Sequence, residues 1–393
     1  MRKQPARSPK PDTEVVFISA SPLNPNYAGG FAPRHAAFVA AVAARRRSEL
    51  FYLHDGDDSL LRSFSPPEGL SSVASVDASQ AGGLASLLIP RQSVARGMRL
   101  PPWIRNPLVV TLTASVAHTA LSSARHISVL EEAWERGLPP AGSTLERARY
   151  LAETLCYKRL YRQIGRSARH TIAITPRERR FFAGFMKRSL LTVIPFGVDT
   201  SYFSPQEAPV RDIDVLVVGA LNRWEQRVED LIFQLQKLPE TRDVRCVLIG
   251  RSPRASVRCL SSETIQVDDD VIDIRPYYAR AKVVAIPTFT DVGIKTTMLQ
   301  AWAMERPVVT SKSVWEGCEH AASQAQLAVE TVGEMAEAIA RLLRNPAERM
   351  RLGSLARPIV VRHHEQLSAT KQFADLVETF LTAEPRSNSI TDS

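Results

Sequence analysis

The stretch GIKTTMLQAWAMERPVV, Gly293 to Val309, decides the fold. It reads as a loop, a helix beginning near Thr296 or Thr297, and a strand entered through Pro307. Just upstream, KVVAIPT is an apolar run of strand length ending at Thr288, so the segment is a strand, loop, helix and strand in succession. In an open parallel sheet, ligands bind outside the carboxyl ends of the strands, where loops enter helices. Here Gly293 allows close approach of the backbone, the helix start directs free amides at the loop, and Lys295 adds a positive charge. A diphosphate meets those demands, with Ile294, Thr296 and Thr297 in the same turn.

The same alternation extends to both sides. DVLVVGA, VRCVLIG and IQV are strands, with helices expected around Val228 to Gln236 and around Tyr277. After PVVTS and LAV come three helical stretches, MAEAIARLLR, AERMRLGSLARPIVVRHH and ATKQFADLVETFL. In the first half, EVVFISA, a helix from Pro33 to Ala44 and ELFYLH form a βαβ unit. LVVTL, HISVL, TIAIT and LLTVIPFGV are further strands, and a small-residue helical stretch covers Ala114 to Ala124. From Asp55 to Pro107 the pattern is irregular and gives no assignment. Strands separated by helices indicate parallel sheets covered on both faces.

The 393 residues, 44% hydrophobic and 23% charged, suffice for two cores. No apolar run is long enough to span a membrane, and MRKQPARSPKPD has no apolar segment after its basic residues, so a cytoplasmic protein is expected. Cys156, Cys246, Cys259 and Cys318 lack the close spacing of zinc or redox motifs and are read as reduced core thiols. A net charge of +9 favours phosphate-bearing partners. Nucleic acid is not expected as one of them, because neither interleaved aromatics nor a docking-helix signature is present.

The ordered motifs GIKTTMLQAWAMERPVVTS, VIPFGVDTSYFSP, DIDVLVVGALNRWEQRVEDLI and RPYYARAKVVAIPT together resemble glycosyltransferase family 4, also called glycosyl transferases group 1, over about Val193 to Leu381. The resemblance implies a GT-B fold: an α/β protein of two Rossmann-like domains facing across a cleft, with the C-terminal helix crossing back. The expected division is 1–12 disordered, 13–203 an acceptor-binding domain, 204–365 a nucleotide-sugar-binding domain, 366–383 the crossover helix and 384–393 disordered. It further implies a nucleotide-sugar donor, retention of anomeric configuration, no metal and no cofactor. The acceptor, whether sugar, lipid-linked or small molecule, is not specified.

Carried over to this sequence, the donor site comprises Gly219, Arg223, Arg227, Gly293, Ile294, Lys295, Thr296, Thr297 and Gln300, with Gly29 and Gly30 closing toward the phosphates. Val292 and Gln300 stand where the family often has a pair of glutamates, and Thr297 where relatives place a second lysine. Gln300 has two readings, since its amide oxygen can meet a ribose while Thr297 and Gln300 are also spaced as a capping box. The replaced pair also leaves open a degenerate GT-B protein that binds a ligand or partner without transfer. Catalytic candidates are Lys295, for charge on the departing diphosphate, and Glu131 or Glu132, at a strand's carboxyl end, for an acceptor hydroxyl. His118 reads as a core or helix-end histidine, and the acids of VDDD, Val267 to Asp270, as a helix-start cluster rather than a metal site. A long basic amphipathic helix from Ser143 to Ala168 has two readings, packing on the sheet or peripheral contact at the inner face of a membrane.

Overall fold

A computed structural model describes residues 13–20, 23, 32–54, 66–77, 104, 106–123, 125–130, 144–206, 210–221, 227–250, 252–269, 271–289, 294–316, 318 and 327–382. The first sheet takes its strands from β1 (Val15–Ser19), β2 (Ser48–His54), β3 (Ser72–Asp77), β4 (Leu108–Thr111), β5 (His126–Leu130), β6 (His170–Ala173) and β7 (Leu191–Val193). Their spatial order is β3-β2-β1-β4-β5-β6-β7, every pair parallel. The second sheet, from β8 (Ile213–Val218), β9 (Cys246–Ile249), β10 (Ile265–Asp268), β11 (Ala281–Ile286), β12 (Val308–Ser311) and β13 (Leu327–Val329), runs β10-β9-β8-β11-β12-β13, again all parallel. Strand order reverses between β1 and β4 in one sheet and between β8 and β11 in the other, which puts a ligand crevice at each reversal.

The helices are α1 (Ala32–Ala43), α2 (Thr144–Ser167), α3 (Pro176–Phe182), α4 (Val228–Lys237), α5 (Ala255–Arg258), α6 (Arg275–Arg280), α7 (Thr296–Ala303), α8 (Lys312–Trp315), α9 (Val332–Arg344), α10 (Pro346–His363) and α11 (Gln366–Thr382). Strands buried on both faces distribute alternate residues between two layers: Leu216 and Val218 of β8 pack with α7 and α10, Val215 and Val217 with α4 and α9. The first sheet is covered on one face by α1 and α11 and on the other by α2, α3 and a 3-10 turn at Ala114–Ala120. In that second layer His126 is wholly buried, its Nε2 3.1 Å from the Thr111 hydroxyl, which lies 3.0 Å from that of Ser128.

The crossover helix is present: α11 leaves the second sheet and completes the core of the first, with Phe373 stacked on Phe38 of α1 at 4.3 Å. Arg46 holds it through Glu378, Nη2 to Oε2 at 2.7 Å, and Arg45 through Asp375 at 2.9 Å. Where the chain returns, Val198 donates to the His364 carbonyl at 2.8 Å and accepts from Gln366 at 3.1 Å. Gly197 is required there, because a Cβ would stand 2.5 Å from the Cα of Gln366. His364, buried, donates from Nδ1 to the Phe196 carbonyl at 3.0 Å and sets Nε2 3.5 Å from the Cys318 sulfur.

Four expectations are corrected. LLTVIPFGV is a strand only from Leu191 to Val193, because the chain then leaves the sheet as the connector. A strand and a short helix, β3 and α3, arise where none was assigned. The acids of VDDD do not start a helix: Asp268 accepts from the Tyr277 hydroxyl at 2.9 Å and Asp269 from the Ser252 amide at 2.7 Å, whereas α6 begins at Arg275. Asp270 lies outside the described residues. Of the four cysteines only Cys246 and Cys318 are core thiols, since Cys156 is half-buried and Cys259 exposed.

Candidate functional site

The crevice at the β8–β11 reversal is built from the loops that follow those two strands. Arg227, opening α4, donates its amide to the Pro287 carbonyl at 2.9 Å, which binds the loop after β8 to the loop after β11. The Gly219 amide bonds to the Ile249 carbonyl at 3.0 Å, so β9 reaches the same opening. Gly250 follows β9 because a Cβ there would lie 2.3 Å from the Gly219 carbonyl oxygen. Ser311 closes the far side, its hydroxyl donating to the Thr288 carbonyl at 2.5 Å while accepting from the Val314 amide at 3.3 Å.

Into this opening α7 presents its amino end. Lys295 is its N-cap, half-buried, and no side chain caps the helix. The first intrahelical bonds to the Lys295 carbonyl come from Met298 at 3.0 Å and Leu299 at 3.4 Å, so the amides of Thr296 and Thr297 remain at the helix mouth. Ile294 is buried and anchors the turn in the same core as Met298 and Trp302. An anion set there would meet backbone donors, a helix dipole and a nearby ammonium group.

The capping-box reading of Gln300 is overturned. Thr297 lies within the helix rather than before it, and Gln300 is 5% exposed on the side that faces α6. There the Tyr278 hydroxyl donates toward Gln300 Oε1 at 3.4 Å and toward the Thr297 carbonyl at 3.3 Å. Burial pushes the Tyr278 phenol above its ordinary range, so it stays a neutral donor.

Arg227 is about half exposed and reaches Asp230 at 2.7 Å, with its guanidinium 5.7 Å from the Phe289 ring. Lys295, Ile294, Thr296, Thr297, Gln300, Gly219 and Arg227 therefore belong to two adjoining loops and one helix start. Gly29, Gly30, Glu131, Glu132, Arg223, Val292 and Gly293 lie outside the described residues. His118 is half-buried on the 3-10 turn beside β4.

Sequence reasoning missed Tyr278, Gly250, Ser311 and Arg177. Arg177 of α3 donates to the Ser313 carbonyl at 3.1 Å, bridging the first sheet's layer to α8 of the second. The signal for α3 was present in TPRE: Thr175 caps the Glu178 amide at 3.1 Å and Pro176 fills the first helical turn.

Residues 212–345 match the family model described as Glycosyl transferases group 1. Over 178 residues the chain is 26% identical to an MMP alpha-(1->4)-mannosyltransferase of Mycolicibacterium hassiacum, a match spanning 42% of this chain and 43% of that protein's length. The fold is similar to that of sucrose-phosphate synthase from Thermosynechococcus elongatus, with TM-score 0.71, 17% identity, and coverage of 94% of this chain and 100% of the other. It is also similar to Anabaena Alr3699/HepE, solved in complex with UDP-glucose, with TM-score 0.66, 15% identity and coverage of 93% and 99%. The fold is GT-B, and the resemblance to the group 1 glycosyltransferases is borne out over residues 212–345, which hold the second sheet with α4 to α9.

Proposed function

We propose that the chain is a glycosyltransferase that moves a sugar from a nucleotide-sugar donor to the hydroxyl of a sugar, lipid-linked or small-molecule acceptor, with retention and without a metal. The observation that carries this reading is the mouth of α7, where Lys295 and the amides of Thr296 and Thr297 meet at the reversal between β8 and β11. The group 1 match over the same half, the mannosyltransferase relative and the UDP-glucose complex of a protein of like fold support it.

In this reading the diphosphate lies against Gly293, Ile294, Thr296 and Thr297. Lys295 offsets the charge that develops as the sugar departs, and Gly219 leaves room for the backbone to approach. Arg223 and Arg227 supply further positive charge, Arg227 by exchanging Asp230 for a phosphate. Gln300 offers an amide to the ribose, Gly29 and Gly30 close over the phosphates, and Glu131 or Glu132 orients the acceptor hydroxyl. The protein's contribution is chiefly electrostatic, aimed at the leaving group.

Gln300 already holds the Tyr278 hydroxyl and Arg227 already holds Asp230, which favours a second reading, ligand binding without transfer. One experiment separates the two. Nucleotide release is measured with a panel of sugar nucleotides, and Lys295→Ala is expected to lower kcat about 10²-fold or more with thermal unfolding unchanged. Turnover unaffected by that substitution removes Lys295 from the chemistry. Absence of both release and thermal stabilisation by any nucleoside diphosphate refutes the donor site itself, and stabilisation without release decides for the second reading.

A further inference from the structure

The two readings of the basic helix are each met by one half of α2. Leu160, Tyr161 and Ile164, in its second half, are fully buried against Phe182 and Ala117. Ahead of Leu160, no residue of the helix whose side chain is described is buried. Leu151 is 60% exposed and Leu155 68%. Every other large apolar side chain exposed to a comparable degree among the described residues lies at Tyr202 or beyond, and of these only Leu367, on α11, belongs to a helix that covers the first sheet.

Leu151 and Leu155 are one turn apart on a single stripe, which continues with exposed Arg147 before them and exposed Arg159, Arg162 and Arg166 after them. Lys187 and Arg188, also exposed, extend the basic surface: Arg162 lies over the Phe185 ring at 5.6 Å, and Met186 packs in the same cluster as Leu160 and Ile164. None of these six cations forms an ion pair with an acid among the described residues. The helix carries six basic residues against two acidic ones, Glu146 and Glu153.

We propose that this outward face of α2, Leu151 and Leu155 flanked by Arg147, Arg159, Arg162 and Arg166, docks on an anionic lipid surface. Two leucines bury far less than the roughly 1,200 Å² that a stable protein interface needs. They suit insertion to the depth of the acyl boundary, with long arginines spreading to the headgroups on either side. Unpaired cations with no fixed acidic partner match a fluid, uniformly negative surface better than a shaped one. Among the described residues no helix is long and apolar enough to cross a membrane, so the contact is one of lying on the surface. Taken together with the proposed transfer, on which this clause alone rests, the docking selects a lipid-linked acceptor.

The full-length protein, without nucleotide, is sedimented with vesicles of phosphatidylcholine alone and of phosphatidylcholine with phosphatidylglycerol. Binding to the mixed vesicles only, weakened by salt, is expected. Each of Arg159→Ala and Arg166→Ala should lower partitioning about fivefold, and Leu151→Ser with Leu155→Ser should abolish it. A Leu155→Trp variant should show a blue-shifted emission on the mixed vesicles. Because no donor is present, these results are independent of whether sugar transfer occurs. Failure to sediment at low salt, sedimentation unaffected by the leucine substitutions, or an oligomer that those substitutions convert to monomer without any vesicle binding would each overturn the proposal.

Discussion

The hydroxyl of Tyr278 lies 3.4 Å from Oε1 of Gln300, joining α6 to the helix whose amino end forms the candidate diphosphate site. Both side chains are buried, so the bond is exchanged for no water when it is lost. Tyr278→Phe is expected to cost about 1 kcal/mol in chemical denaturation. If Gln300 serves the ribose, the same change should weaken nucleotide binding measured by calorimetry, since the amide loses its orienting partner. Gln300→Glu should tighten donor binding about tenfold through a charge-assisted bond. Nucleotide affinity indifferent to both changes would exclude Gln300 from the donor site.

Glu305 has φ +56°, in the left-handed region, at the turn from α7 into β12. A side chain there is strained by about 1 kcal/mol. Glu305→Gly is therefore expected to raise the unfolding midpoint slightly or leave it unchanged, in contrast to most glycine substitutions. A clear fall in the midpoint would show that the Glu305 side chain contributes more than its backbone loses.

Burial holds the His126 imidazole down at about 3, against 6.5 in the unfolded chain. Below pH 6.5 the unfolded state takes up a proton that the folded state refuses, so stability falls as pH drops through the window from 6.5 to 3. The slope attributable to this group is about 1.4 kcal/mol per pH unit inside that window. Asp212, lowered to about 2 by its hydrogen bonds to Arg280, keeps its full contribution above its ordinary 3.8 and loses it only as pH falls from there towards 2. Urea unfolding between about pH 5.5 and pH 6.5, above the ordinary 4.5 of Glu240 and Glu378, isolates the histidine from the carboxylates. The slope should flatten in His126→Gln and persist there only if another group is responsible.

Phe373→Ala should cost about 3–5 kcal/mol, because it opens a cavity opposite Phe38 in a layer closed by α11. The loss should appear in fluorescence and hydrogen exchange of the first sheet, although Phe373 follows the second sheet in sequence. Exchange that changes only around the second sheet would contradict the assignment of α11 to the first core.

Most strands were legible because burial on both faces leaves a continuous apolar run, as in Val215 to Val218 or Val283 to Ile286. β3, with the sequence SVASVD, carries too few apolar residues at the sheet's edge to be recognised. The mouth of α7 was legible from Lys295 and the loop before it. Tyr278 was not, since its bond to Gln300 depends on the packing of two helices separated by a strand and a loop. The double use of α2 was likewise invisible, because its spacing is helical throughout and only tertiary packing decides which half is covered.

Because α11 supplies Phe373, Ala374 and Val377 to the core built on β1 and β4, a core begun ahead of the second sheet in the chain is completed only by a helix that follows that sheet. During synthesis the amino-terminal core must wait, with Phe38 and Val39 of α1 unmatched, until the seventeen residues of α11 have cleared the ribosome. A chain cut at the start of α11 would keep every strand of the second sheet yet lose the cover of the first, so damage at one place in the sequence would be felt in a core whose strands all precede that sheet.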